Sequence, residues 1–192
     1  MRLRATVATS RGRRKVDLVA SRCREERGVA LTEMAVVLPL LLLLLLGMID
    51  FGKAINYWID ETHLANSGAR WAVVNYNPGD PTNTGISTTK PLQTYIREQA
   101  DSRELRGEVQ GTQQSAHHAD VKICFYHNGN STTSPLVGDT VKVTVEYRYD
   151  WLHYLFAKAG IGPSTTIGSS SAMRLEALPT HYAASAGCPS TI

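Results

Sequence analysis

The stretch RGVALTEMAVVLPLLLLLLLGMID, residues 27–50, decides the architecture of this chain. Residues 34–49 contain no charged side chain, and residues 40–46 are seven consecutive leucines. As a helix, residues 29–49 would be roughly 31 Å long, which is about the thickness of one hydrocarbon core. The sequence therefore predicts a transmembrane helix over residues 29–49.

The charges on the two sides of this segment predict its orientation. Residues 1–28 carry nine Arg or Lys against three Asp or Glu, whereas the remainder carries eleven against fourteen. Basic residues beside a membrane segment stay in the cytoplasm, which explains this arm without nucleic-acid binding. We expect a basic cytoplasmic leader over residues 1–28 and a single-pass protein of the cytoplasmic (inner) membrane. A cleaved secretory signal fits poorly, because no small-residue A-x-A pattern follows the apolar run.

Helical periodicity continues beyond the membrane segment. Apolar or small residues recur at steps of three and four along one face, at Phe51, Ile55, Trp58, Thr62, Ala65, Ala69, Ala72 and Tyr76. This pattern predicts an amphipathic extension of the helix over residues 50–77 that docks this stripe onto a soluble domain. The helix should end at NYNPGDP, and Pro39 predicts a kink within its first half.

Residues 78–192 are expected to form an extracytoplasmic α+β domain. The segments DVKICFYHNG, GDTVKVTVEYRYDW and TTIGSSSAMRLEAL have strand character, and the second alternates apolar and polar residues over its whole length. TTKPLQTYIREQADSREL predicts a shorter helix, and WLHYLFAKAG a short helix or turn. The order of elements predicts an α+β fold, in which a long N-terminal helix packs on a small antiparallel sheet.

The three cysteines agree with this topology. Cys23 lies in the basic arm, on the reducing side of the membrane, whereas Cys124 and Cys188 both follow the membrane segment. An oxidising compartment would permit a Cys124–Cys188 disulfide. The alternative is two unconnected thiols.

The sequence gives little support to catalysis. His117, His118, Asp120 and His127 lie within eleven residues, but their spacing is not that of zinc sites. G-x-S-x-G is absent, and so is a phosphate-binding loop. We therefore expect no catalytic residue, no metal site and no cofactor.

Glu33, which directly precedes the uncharged residues 34–49, has two interpretations. It could be an interfacial residue that reaches the cytoplasmic headgroups, which costs little near a helix end. Alternatively, cleavage after Gly28 would make Val29 a new N-terminus with Glu33 as its fifth residue. The freed amine of a neighbouring subunit's Val29 would then pair with Glu33, which would fix the stagger between adjacent helices.

The N-terminal residues RGVALTEMAVVLPLLLLLLLGMIDFGKAINY resemble TadE-like proteins, which are pilin-like components of the tight-adherence (Flp) pilus machinery. The resemblance rests on R-G-x-A-x-x-E, on the apolar helix with Pro39, and on the GMIDFGK that follows it. TVKVTVEYRY and SSAMRLE fit a typical domain of the family more loosely. The resemblance implies a precursor that a prepilin peptidase processes after Gly28, with Glu33 required for processing.

These observations predict a TadE-like minor pilin or pseudopilin that takes part in pilus assembly. Its expected partners are the prepilin peptidase, other pilin or pseudopilin subunits, the inner-membrane assembly platform and the lipid bilayer, with no nucleic acid. An uncleaved membrane-anchored structural or binding protein is the first alternative. A membrane-tethered hydrolase or metal-dependent enzyme that uses the histidines is the second.

Overall fold

The computed structural model describes residues 13–80, 90–107, 117–152 and 164–192, with the backbone alone for residues 13–28. The chain forms two compact units, which divide between Met48 and Ile49. The elements in chain order are α1 (Arg13–Val73), α2 (Leu92–Glu98), α3 (Arg103–Arg106), β1 (Asp120–His127), β2 (Asn130–Thr132), β3 (Thr140–Asp150) and β4 (Ser164–Arg174). Most of the expected short helix or turn in WLHYLFAKAG lies outside the described residues.

Helix α1 begins at Arg13, well before residue 29, where the sequence predicted its start. Its part Val29–Val73 contains a window of mean hydropathy 2.6 whose residues are all unburied, so this helix is long and apolar enough to cross a membrane. Pro39 lies inside the helix. The helix ends at Val73, four residues before residue 77, where the sequence predicted its end. Asn75 follows it with a left-handed φ of 55°.

The four strands form one antiparallel sheet in the order β2-β1-β3-β4. The alternation predicted for β3 is confirmed, since Val141, Val143, Val145, Tyr147 and Tyr149 are all buried. Asn128 and Gly129, with φ of 50° and 82°, form the two-residue turn between β1 and β2. An α+β fold with a long helix on a small antiparallel sheet is thus confirmed.

Within the second unit, α1 packs against β3 through aromatic rings and a glycine. The ring of Tyr57 makes edge contacts with Tyr147 and Tyr149 at centroid distances of 5.5 and 5.6 Å. Further along, a Cβ on Gly68 would lie 3.2 Å from Cγ1 of Val143. Helix residue numbers therefore rise while strand residue numbers fall, so α1 runs antiparallel to β3.

The buried face of α1 differs from the predicted stripe in its first half. Phe51, Ile55, Trp58 and Tyr76 are exposed. The buried side chains of this helix are Asp50, Ala54, Tyr57, Asp60, Glu61, Leu64, Ala65, Ala69, Ala72 and Val73. The helix is thus turned by one residue, about 100°, relative to the prediction at its N-terminal end. The contacts of Asp50 and Tyr57 with β3 fix this rotation, because both place their side chains against Tyr149.

The predicted shorter helix is broken into two. Helix α2 ends at Glu98 and α3 begins at Arg103. Between them, the backbone N–H groups of Asp101 and Ser102 donate to the Asp60 carboxylate at 3.2 and 3.0 Å. The helix is broken because the buried Asp60 carboxylate accepts hydrogen bonds from these N–H groups, which in a continuous helix would donate to backbone carbonyls of the preceding turn.

The residues after β4 return across the domain to β1. The Tyr182 hydroxyl donates to the Ala72 carbonyl at 2.6 Å, and its ring packs on Phe125 at 5.9 Å. The Cys124 and Cys188 sulfur atoms form a disulfide between β1 and this C-terminal segment. The segment thereby ties the end of α1 to the sheet.

Candidate assembly surface

The residues expected to direct processing and assembly lie together on α1. The bond between Gly28 and Val29 falls inside the helix, and both Val29 and Glu33 are exposed. Glu33 is four positions after Val29, which places them on the same helix face. The Thr32 hydroxyl donates to the Val29 carbonyl at 2.8 Å, so this hydroxyl is satisfied within the helix.

Within the first unit, residues 29–48 present mainly apolar side chains in every direction. All residues from 29 to 45 are exposed, and Val36 reaches 77% exposure. A helix that is apolar all round is stable only in an apolar environment. This part of α1 therefore requires lipid, other apolar helices, or both.

The second unit carries an apolar surface of its own, on residues that follow this segment in the sequence. Phe51, Ile55, Trp58 and Ile59 are 58%, 42%, 53% and 58% exposed. These four residues, named here the juxtamembrane strip, are on the side of α1 that the sheet does not cover. Contiguous exposed apolar surface of this kind marks an interaction site.

The hydrogen bonds of Asp50, at the start of the second unit, keep the juxtamembrane strip on the side of α1 that faces away from the sheet. The Asp50 carboxylate accepts from the Tyr149 hydroxyl at 2.6 Å and from the Leu152 N–H at 2.8 Å. Asp50 is 2% exposed. Because a buried carboxylate needs such donors, rotating α1 to bury the strip would leave Asp50 without them.

Glu61 is an acidic residue inside the core, where a charged side chain is not expected. It is fully buried, and neither carboxylate oxygen has a hydrogen-bond partner among the described residues. Burial, together with the nearby charges of Asp60 and Glu146, raises the pKa of Glu61 from 4.5 to about 8. Its carboxyl group is therefore mainly protonated at neutral pH. The sequence pattern missed this residue, because the predicted stripe put Glu61 on another face.

The candidate histidines are at separate places. His127 Nδ1 lies 2.6 Å from Asp139 Oδ1, and His117 Nε2 lies 3.9 Å from Asp150 Oδ2. His118 instead lies near Gly107. Among the residues that the structure describes, no group of three or more His, Cys, Asp or Glu could hold a metal ion.

An open groove of about 450 Å³ lies between α2, β1 and the C-terminal segment, with Ser185 in its wall. The Ser185 hydroxyl accepts from the Ile123 N–H at 2.9 Å and lies 3.3 Å from Gln93 Nε2. The residues that line the groove include Asp120 and Lys122 but no histidine. This arrangement is typical of a structural serine, and a serine nucleophile would need an adjacent base.

The comparison with protein families matches the part of the chain that carries these surfaces. The family described as TadE-like protein matches residues 28–70. Residues 28–70 are TadE-like. The match confirms the resemblance inferred from the N-terminal residues, and it extends to the part of α1 that packs on the sheet. No curated protein and no solved structure matches the chain.

The TadE-like segment contains Gly28, Val29, Glu33 and the whole juxtamembrane strip. The match supports a protein associated with the Tad pilus. Together with the apolar helix, it fits a membrane-anchored protein whose partners are other pilus components.

Proposed function

We propose that this protein is a TadE-like minor pilin or pseudopilin that takes part in assembly of a tight-adherence (Flp type IVb) pilus. Its function is association with other subunits, with no turnover of a substrate. The observation that carries this proposal is the juxtamembrane strip, which lies within the TadE-like segment and which the protein's own domain leaves uncovered.

The length of the apolar surface supports a protein partner in addition to lipid. From residue 34 to residue 59, α1 exposes mainly apolar side chains, with Lys53 as the one exposed charge. This length of helix is about 39 Å, whereas a bilayer core is about 30 Å thick. A bilayer that covers the predicted transmembrane segment, residues 29–49, leaves Ile55, Trp58 and Ile59 for contact with another subunit.

The proposal assigns Gly28, Val29 and Glu33 to processing and register. A prepilin peptidase would cut after Gly28 and free the amine of Val29. An acidic side chain at membrane depth costs about 2.5–3.5 kcal/mol or more, so Glu33 would take the Val29 amine of a neighbouring subunit as its partner. The basic leader, residues 1–28, would be cytoplasmic, and the domain would lie on the outer side of the inner membrane.

The first test is the intact mass and N-terminal sequence of the protein from membranes that contain its native peptidase. We expect a chain that begins at Val29. A chain that still begins at Met1, while a control pilin in the same cells is cut, would favour an uncleaved anchor and leave Glu33 an ordinary interfacial residue.

The second test addresses the strip itself. Replacing Ile55 and Trp58 by serine should reduce the number of pili per cell, while the protein remains inserted in membranes. Serine replacement of His63 and Asn66, exposed polar residues of the same helix, is the matched control and should leave piliation unchanged. Equal piliation in both double variants would contradict the assembly role.

A further inference from the structure

The outer edge of β4 is a second surface that the fold leaves available. Strand β4 pairs with β3 over all eleven residues, from Ser164 to Arg174, in a register without a bulge. Among the described residues, no strand pairs with the other side of β4. Its sequence STTIGSSSAMR contains no proline, and Arg174 at its end is its one charged residue. Long regular edges of this kind expose a row of backbone N–H and C=O groups, which proteins normally block.

The same sheet closes its opposite edge. Strand β2 has three residues, and the C-terminus lies along it through a bridge between Asn130 and Thr191. The Ser131 N–H donates to the Ser190 carbonyl at 2.9 Å. Further along, Ile123 of β1 exchanges bonds with Ser185 at 2.9 Å. Residues 185–192 thus cover one edge of the sheet. Among the described residues, no strand covers the outer edge of β4.

We propose that β4 accepts an extended strand of a different polypeptide as the fifth strand of this sheet. Only an extended backbone matches a row of alternating N–H and C=O groups. The small side chains of residues 168–172 let such a strand approach closely. Ile167 and Met173 share one face of β4 and remain partly exposed at its edge. Alternate apolar residues of the incoming strand would cover both.

A second copy of this chain fits the edge poorly. Two identical edge strands most simply pair antiparallel about a two-fold axis perpendicular to the sheet. Because α1 runs antiparallel to β3, it runs parallel to β4. The axis would therefore point the N-terminal ends of the two α1 segments in opposite directions, although both lead into membrane segments. Pairing β4 with the β2 edge of another copy is also blocked, because residues 190–192 occupy that edge.

This inference rests on the proposed function, since the polypeptide that supplies the strand would be another subunit of the pilus assembly. The interaction adds a contact outside the membrane to those of Glu33 and the juxtamembrane strip. The two kinds of contact would have different roles. Helix contacts would set the stagger between subunits, and strand addition would determine which subunit is the neighbour.

The first experiment uses adjacent proline variants of the full-length protein, Ser169→Pro and Ser170→Pro. Neighbouring residues of a strand point their N–H groups to opposite edges, and proline is tolerated where that group faces away from the sheet. One variant should unfold, because it loses a bond to β3. The other should melt within a few degrees of the wild type and lower piliation about tenfold, since it removes a donor from the added strand and obstructs its approach.

The second experiment measures amide hydrogen exchange along β4, for the full-length protein alone in nanodiscs and in membranes of cells that assemble the pilus. Every second amide of β4 should exchange fast in nanodiscs and become protected in the assembling membranes. This alternation is specific to strand addition. Fast exchange in both samples, or protection already complete in nanodiscs, would overturn the proposal.

The outcomes distinguish this inference from the proposed function. If Glu33→Ala abolishes piliation while the stable proline variant assembles normally, strand addition is wrong and the pilin role stands. If neither change affects piliation, both are wrong. A disulfide-linked homodimer of a Ser170→Cys variant, formed in membranes of assembling cells, would replace the different polypeptide by a second copy and overturn the proposal.

Discussion

Replacing Glu61 by glutamine should make the domain more stable at neutral and alkaline pH and reduce the pH dependence of its unfolding. In the folded protein, Glu61 is fully buried without a hydrogen-bond partner among the described residues, and its pKa is raised from 4.5 to about 8. In the unfolded chain, the same carboxyl group has its ordinary pKa. Between these two pH values, unfolding therefore releases a proton from Glu61.

The sign and size of the effect follow from this difference. Because the folded state binds the proton more tightly, the contribution of Glu61 to stability is fully present below about pH 4.5. It falls as the pH rises and levels off above about pH 8. Each pH unit corresponds to about 1.4 kcal/mol, so the upper limit is about 5 kcal/mol across this window. Relaxation of the core around the charged Glu61 carboxylate and entry of water lower this cost, and we expect about 2–4 kcal/mol.

The assay is chemical denaturation of the full-length protein in detergent between pH 5 and 9, followed by tryptophan fluorescence. Trp71 packs against Tyr95 in the second unit and reports on the core. Glutamine keeps the size of the side chain without a titrating proton. Glu176→Gln is the matched control, because Glu176 is exposed and its loss should leave the pH dependence unchanged. If the Glu61→Gln and wild-type curves stay parallel from pH 5 to 9, the buried acid is not the origin of the dependence.

Two further changes test the packing of the second unit. Gly68→Leu should lower the free energy of unfolding by about 1–3 kcal/mol, because even a Cβ there would lie 2.7 Å from Ile96 Cδ1. Gly52→Leu, with no atom near its Cβ position, should be neutral or slightly stabilising, and equal denaturant midpoints for the two variants would contradict this packing. Replacing both Cys124 and Cys188 by serine should cost about 4 kcal/mol, because their bridge closes a loop of about 65 residues. A wild-type protein that reductant does not weaken would show that the bridge contributes nothing.

The elements of the domain could largely be predicted from local sequence. Strand β3 alternates apolar and polar residues without interruption, and the structure places it at residues 140–150 with the expected face buried. The segments DVKICFYHNG and TTIGSSSAMRLEAL were also predicted as strands, and they contain β1 and most of β4. The break between α2 and α3 could not be predicted. It depends on Asp60, which is about forty residues away in sequence and binds the N–H groups of the connecting turn.

The sequence by itself predicted a helix long and apolar enough to cross a membrane, the α+β class and the TadE-like character of the N-terminal segment. These properties depend on composition and short-range order, which a single sequence displays directly. Only the tertiary structure decided which face of α1 is buried. Two faces of this helix carry apolar residues, one with Tyr57 and Leu64 and one with Phe51 and Ile55, and a local pattern contains nothing to choose between them. The sheet makes the choice, because Tyr149 satisfies Asp50 and receives Tyr57 only in one rotation. The same choice buries Glu61 and leaves the juxtamembrane strip exposed.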